Sequence, residues 1–193
     1  MKLELVAHAG AEKRNGWSHG PVPQEHAIPG FFGVTISEEG YERTASLLTQ
    51  VMGFRLVKED RNRFRYEVGE GGAGAWVDVL CQPDAPTGIV SVGTVHHVAW
   101  RTPNDEQQKE WRSELVKARL NVTPVIDRKY FHSIYFREPG GVLCEIATDP
   151  SGFTVDERLE ELGTRLVLPS WLEPYRTKFH DVLPTVKLPG TPT

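Results

Sequence analysis

From residue 31 onward, apolar and polar positions follow an order that repeats. Phe31 to Ile36 (FFGVTI) is a β-branched and aromatic run of the kind strands favour. Tyr41, Ala45, Leu48 and Met52 then fall at four- and three-residue steps, the spacing of one helix face. Gly53 stands where a C-terminal cap belongs. Three strands are predicted next, over Arg55 to Glu59, Phe64 to Val68 and Ala75 to Cys81. The cluster Gly69, Gly71, Gly72 and Gly74 forms the turn between the last two. The same order returns from Thr94. Thr94 to Trp100 (TVHHVAW) reads as a strand and Asn104 to Ala118 as a helix with Trp111, Leu115 and Ala118 on one face. Val122 to Asp127, His132 to Phe136 and Val142 to Thr148 read as strands.

The pattern therefore predicts an α+β fold of two β-α-β-β-β units, at 31–84 and 94–150. Gly33 matches His97 at an offset of 64 residues, and Asp78 matches Glu145 at 67, as Pro83 does Pro150. A third, partial copy is visible in Leu3 to Ala7, which can be laid on Val77 to Cys81 and Cys144 to Thr148 with an acid in the same place. On this reading residues 1–30 are an extended arm that opens on the last strand of a preceding unit and continues as a linker. Residues 151–193 are a tail, with one helical stretch over Asp156 to Gly163 and then Pro169, Pro174, Pro184 and Pro189 in an extended wrap.

Composition narrows the function classes. The chain has 193 residues, 39% of them apolar, and a formal charge of −4. There is no basic excess to neutralise a phosphate backbone, so nucleic acid is excluded as the expected partner. No apolar run approaches the roughly 20 residues that span a bilayer, and the N-terminal stretch lacks a signal-peptide core. Cys81 and Cys144 are too few for a disulfide framework and read as buried thiols, so the expected compartment is the cytoplasm.

Candidate chemistry gathers in the second unit. His96 and His97 sit on an apolar strand, where successive side chains point to opposite faces. Glu145 lies in a run, Val142 to Ala147, that otherwise reads as buried. A carboxylate is rarely buried unless paired or metal-bound. One His and one carboxylate on neighbouring strands are two thirds of the site that holds non-haem Fe(II) with open positions. The competing reading pairs Glu145 with an arginine and leaves His97 as a core histidine. Arg128 could bind an anionic oxygen and Tyr135 donate to one, against a surface arginine and a sheet-packing tyrosine. Arg137 to Gly141 reads as a hairpin with a solvated tip. The glycine run at 69–74 lacks a phosphate-loop Lys-Ser or Lys-Thr. His8, His19 and His26 in the arm match no zinc spacing and read as solvated.

These residues resemble the vicinal oxygen chelate superfamily of glyoxalases, bleomycin-resistance proteins and extradiol dioxygenases. The stretch Val95 to Pro184 is similar to the bacterial ring-cleaving dioxygenases that open hydroquinones. The motifs are His96-His97-Val98-Ala99-Trp100, Asp127 through Gly140 (DRKYFHSIYFREPG), Glu145 to Asp149, Gly152 to Glu157, and Leu166 to Pro169. The resemblance implies His97 and Glu145 as ligands of Fe(II), or of Mn in its place. It makes His96 their active-site neighbour, and Arg128 and Tyr135 the contacts of an aromatic diol substrate and O₂. The family's third ligand is a histidine near the start of a four-unit chain. Gly33 occupies the matching place here, so the third ligand is not identified in this chain. A homo-oligomer or a separate N-terminal half is the partner this implies, with Asp78 as a substitute only where the last strands of both units meet. The alternative is a non-enzymatic small-molecule binding module of the bleomycin-resistance type.

Overall fold

The structure, a computed structural model, describes residues 2–18 and 20–184, apart from the Glu12 side chain. The first unit comprises β1 (Gly33–Glu38), α1 (Glu42–Ser46), β2 (Arg55–Asp60), β3 (Arg63–Glu67) and β4 (Trp76–Cys81). α1 continues as one wider turn over Leu47–Val51, which buries Leu47 and Leu48. The second unit comprises β5 (Val98–Thr102), α2 (Asp105–Lys117), β6 (Ile126–Asp127), β7 (His132–Arg137) and β8 (Leu143–Thr148).

The two sheets have the same topology, β1-β4-β3-β2 and β5-β8-β7-β6. In each, the first strand runs parallel to the last, and the last is antiparallel to the third. The helix between first and second strands is the crossover that such a parallel pairing needs. The matched registers Thr35 with Asp78 and Ala99 with Glu145 give the sequence repeat a structural meaning.

α2 forms where both pattern and cap call for it. The Asn104 side chain accepts from the Gln107 amide, satisfying one of the free N–H groups of the first turn. Leu115 is fully buried against the sheet. Gln108 is also fully buried, and its Nε2 donates to the carbonyls of His132 at 2.7 Å and Ile146 at 2.8 Å. One cluster of buried apolar side chains runs through both units, from Ile36 and Phe64 to Phe136 and Ile146. Phe54 meets Trp100 edge-on across the units at 6.1 Å.

Several expected elements differ. Thr94–His97 lies outside the strand, which begins at Val98, and Val122 to Asp127 keeps only Ile126–Asp127 plus a bridge from Val122 to Phe136. Leu3 and Leu5 are exposed and pair with no strand; without neighbours of their own sheet they have no ladder to join. Asp156 to Gly163 forms only a short turn at Leu159–Glu161, whereas Pro174 sits in the turn Glu173–Tyr175 that leads into α3 (Arg176–Val182). Proline fixes the first turn of a helix as readily as it ends one. Pro189 and His19 lie outside the described residues. Between β4 and β5, residues 82–97 carry no regular structure, and Ile89, Val90 and Val92 are exposed.

Gln108→Leu should destabilise the chain by about 1–3 kcal/mol, because two buried carbonyls lose their donor. Urea unfolding should show this, with the exposed change Glu106→Ala within about 0.5 kcal/mol of the parent.

Candidate active site

β8 places the site. Cys144, Ile146 and Thr148 face the helix, so the pleat turns Glu145 to the other face of the sheet. The antiparallel register sets Tyr135 directly opposite Glu145, and Ser133 lies on the same face two residues earlier. His97 reaches that face from just before β5.

There the four side chains converge. His97 Nε2 lies 2.7 Å from Glu145 Oε2. The Tyr135 hydroxyl donates to Glu145 Oε1 at 2.7 Å, and the Ser133 hydroxyl donates to the same oxygen. Arg128 Nη2 donates to the Tyr135 oxygen at 3.2 Å, with its guanidinium 5.3 Å from the centre of the tyrosine ring. Glu145 is 3% exposed, yet no arginine or lysine pairs with it among the described residues. The reading of Glu145 as an arginine's partner therefore fails. Its charge is met by hydroxyls on one oxygen, while the other faces an imidazole.

His96 departs from the strand expectation. Because both histidines precede β5, their side chains do not alternate between faces, and the two Nδ1 atoms lie 2.9 Å apart. One of these nitrogens must carry the hydrogen, so His96 fixes how the His97 ring is turned. Ser133 escaped the sequence reading. Its signal was the two-residue period shared with Tyr135 on the strand opposite Glu145.

His97 and Glu145 form a donor pair suited to a divalent transition metal, an imidazole nitrogen beside a carboxylate oxygen. A common ion about 2 Å from each would need only a small separation of the pair. Among the described residues, no group of three or more His, Cys, Asp or Glu side chains could hold a metal. Asp78 does not complete this set. Its carboxylate is held by Arg65, at 2.7 and 2.9 Å, and by Arg63 at 3.1 Å. Burial pushes Asp78 up, but the two guanidiniums outweigh it and hold the carboxyl below its ordinary range. Nor is there room for a ligand at Gly33, where a Cβ would stand 2.9 Å from the Trp76 carbonyl oxygen.

His8 and His26 take no part in the site. His8 is half-buried rather than solvated, its ring 5.1 Å from Phe32, while His26 is exposed. Phe31, Trp17 and Trp171 are exposed, and Phe32 packs on Trp76 at 4.3 Å. Cys144 is buried, with its thiol pushed up to about 12 chiefly by burial, and Cys81 is half-buried; both are free.

The model of the Glyoxalase/Bleomycin resistance protein/Dioxygenase superfamily matches residues 33–156. MhqO of Bacillus subtilis (strain 168), whose name is that of a ring-cleaving dioxygenase, is 42% identical over 95% of this chain and 58% of its own length. The chlorohydroquinone/hydroquinone 1,2-dioxygenase of Sphingobium indicum is 35% identical over 81% of this chain and 50% of its own. A crystal structure from Bacillus subtilis bearing a dioxygenase name superposes with a TM-score of 0.83 at 41% identity, covering 90% of this chain and 56% of that one. The chain thus spans just over half the length of the relatives it matches.

Ser133→Ala should cost about 1.5–3 kcal/mol, the value of a hydrogen bond to a buried charged group. Chemical denaturation at neutral pH measures it, and Ser133→Thr, which keeps the hydroxyl, should recover part of the loss.

Proposed function

The chain belongs to the Glyoxalase/Bleomycin resistance protein/Dioxygenase superfamily, and from that premise we propose that it carries the greater part of the active site of an Fe(II)-dependent ring-cleaving dioxygenase for hydroquinone-type diols. The observation that carries the proposal is the buried Glu145 carboxylate, which keeps one oxygen toward His97 and, among the described residues, has no arginine or lysine partner. His97 Nε2 and Glu145 Oε2 would hold the ion. The third protein ligand comes from outside the described residues, from a preceding half of the protein or from a second chain. The names of the relatives MhqO and chlorohydroquinone/hydroquinone 1,2-dioxygenase support the substrate class. No helix among the described residues is long and apolar enough to cross a membrane, and a cytoplasmic location belongs to the same proposal.

Held by His97 and Glu145, Fe(II) would supply Lewis-acid and one-electron redox chemistry to the diol and O₂. The chain's own residues do the rest. Arg128 is exposed on the open side of Tyr135, so its fixed charge meets an anionic ring oxygen as it arrives. Tyr135, which accepts from Arg128 and donates to Glu145, would exchange a proton with a substrate oxygen bound beside it. His96 keeps the His97 ring turned with Nε2 toward Glu145. Ser133 and Tyr135 together hold Glu145 Oε1, so that carboxylate presents a single oxygen.

Purified alone and supplied with Fe(II), the chain should carry well under one equivalent of iron and consume no oxygen with hydroquinone. Supplying the preceding half should restore both. In that assembly His97→Ala and Glu145→Ala should abolish uptake. Arg128→Ala should retain iron and lower turnover about 10²–10³-fold, as removal of an oxyanion contact does. Elemental analysis and an oxygen electrode give the readouts. Full turnover by the single chain would overturn the shared site, and metal-free binding of an aromatic drug would favour the binding module.

A further inference from the structure

One buried polar contact joins the two units and plays no part in the chemistry proposed above. Glu38, the last residue of β1, and Glu138, in the turn after β7, are each 4% exposed. Between them lies Thr44 of α1, 1% exposed. Thr44 Oγ1 is 2.7 Å from Glu38 Oε2 and 2.5 Å from Glu138 Oε2. A hydroxyl has one hydrogen to donate. It can serve one carboxylate, so the second short contact requires a hydrogen on one of the two acids.

The surroundings decide which acid carries it. Glu138 accepts from the Gly140 and Val142 amides, each at 2.6 Å, so both of its oxygens already have backbone donors. Glu38 has no such support, and its Oε1 is buried without a partner. A neutral carboxyl tolerates that far better than a carboxylate does. Among the described residues, the titratable groups that the structure sets against Glu38 are acids: Glu138, Tyr66 of β3 and Cys144 of β8, with Glu59 and Tyr41 acting on Tyr66. Burial is the largest cause that pushes the Glu38 carboxyl up to about 7; the Thr44 hydrogen bond opposes it and the Glu138 charge adds to it. The turn approaches closely because residue 140 is glycine: a Cβ there would stand 2.4 Å from Glu38 Cδ.

We propose that Glu38, Thr44 and Glu138 form a one-proton latch between the units, in which Glu38 donates to Thr44, Thr44 donates to Glu138, and loss of the single proton loosens the contact. The sign of the pH dependence follows. Glu38 holds its proton to higher pH in the folded chain than at its ordinary value of 4.5. The folded state therefore binds more protons across that interval, and stability falls as pH rises from about 4.5 to about 7, then levels.

The test is NMR of the isotope-labelled chain between pH 4.5 and 8.5. The Glu38 carboxyl carbon and the Gly140 and Val142 amides should move together with one midpoint near 7. In Glu38→Gln, whose amide supplies a permanent donor, the two backbone signals should stop moving, and the thermal midpoint should lose its decline between pH 5 and 7. Thr44→Val should uncouple Gly140 from Glu38, and Thr44→Ser should preserve the coupling, which covers the case of a poorly folding Gln variant. A Glu38 midpoint below 5 would overturn the latch. So would a Gly140 amide that titrates unchanged in Glu38→Gln or Thr44→Val.

Discussion

A carboxylate turned into the inner face of a sheet must find hydrogen-bond donors there, and the second unit is organised around that demand. Glu145 is placed by β8, whose pleat sends its neighbours Cys144 and Ile146 into the core. The antiparallel partner β7 then has to offer donors at the matching positions, and it offers Ser133 and Tyr135. The parallel partner β5 has to bring an imidazole to the remaining oxygen from its leading end. Shifting either strand by one residue would send these groups to the opposite face and strand the charge. The register of three strands and the composition of the site are thus one requirement.

The first unit meets the same demand in a different way. Asp78 occupies the place of Glu145, and Arg65 the place of Tyr135 on the neighbouring strand. Two guanidiniums neutralise the acid outright and leave it nothing to offer a cation. Phe32 and Trp76 lie beside Arg65, each ring centre 5.2 Å from its guanidinium carbon. The two sheets are therefore a comparison with topology held constant: one acid is closed off by internal charge, and the other is held by neutral donors and left able to take a further partner.

Much of this was legible in the chain itself, because it depends on local period. The repeat of strand and helix, the helix from Asn104 and the burial of Glu145 among apolar neighbours all follow from residues close in sequence. What escaped depends on the other unit or on a chain direction. The segment Glu138-Pro139-Gly140-Gly141 has the composition of a solvated turn, and only the approach of β1 and α1 from the first unit makes Glu138 a buried acid. His96 and His97 lie in an apolar run that reads as strand, but pairing with β8 starts only at Val98. Pro174 suggested extended chain, although it sits in the turn that leads into α3.

The segment 82–97 carries a different kind of consequence. It is the covalent tie between two units that also hold each other through shared core and polar contacts. The entropy of closing such a loop grows only with the logarithm of its length, so doubling it costs about 0.6 kcal/mol. The chain between the units can therefore lengthen over evolution at small thermodynamic cost, provided that its last residues still deliver His97 to the leading end of β5. The structural demand on this stretch is concentrated at its exit, and the rest can take insertions at little thermodynamic cost.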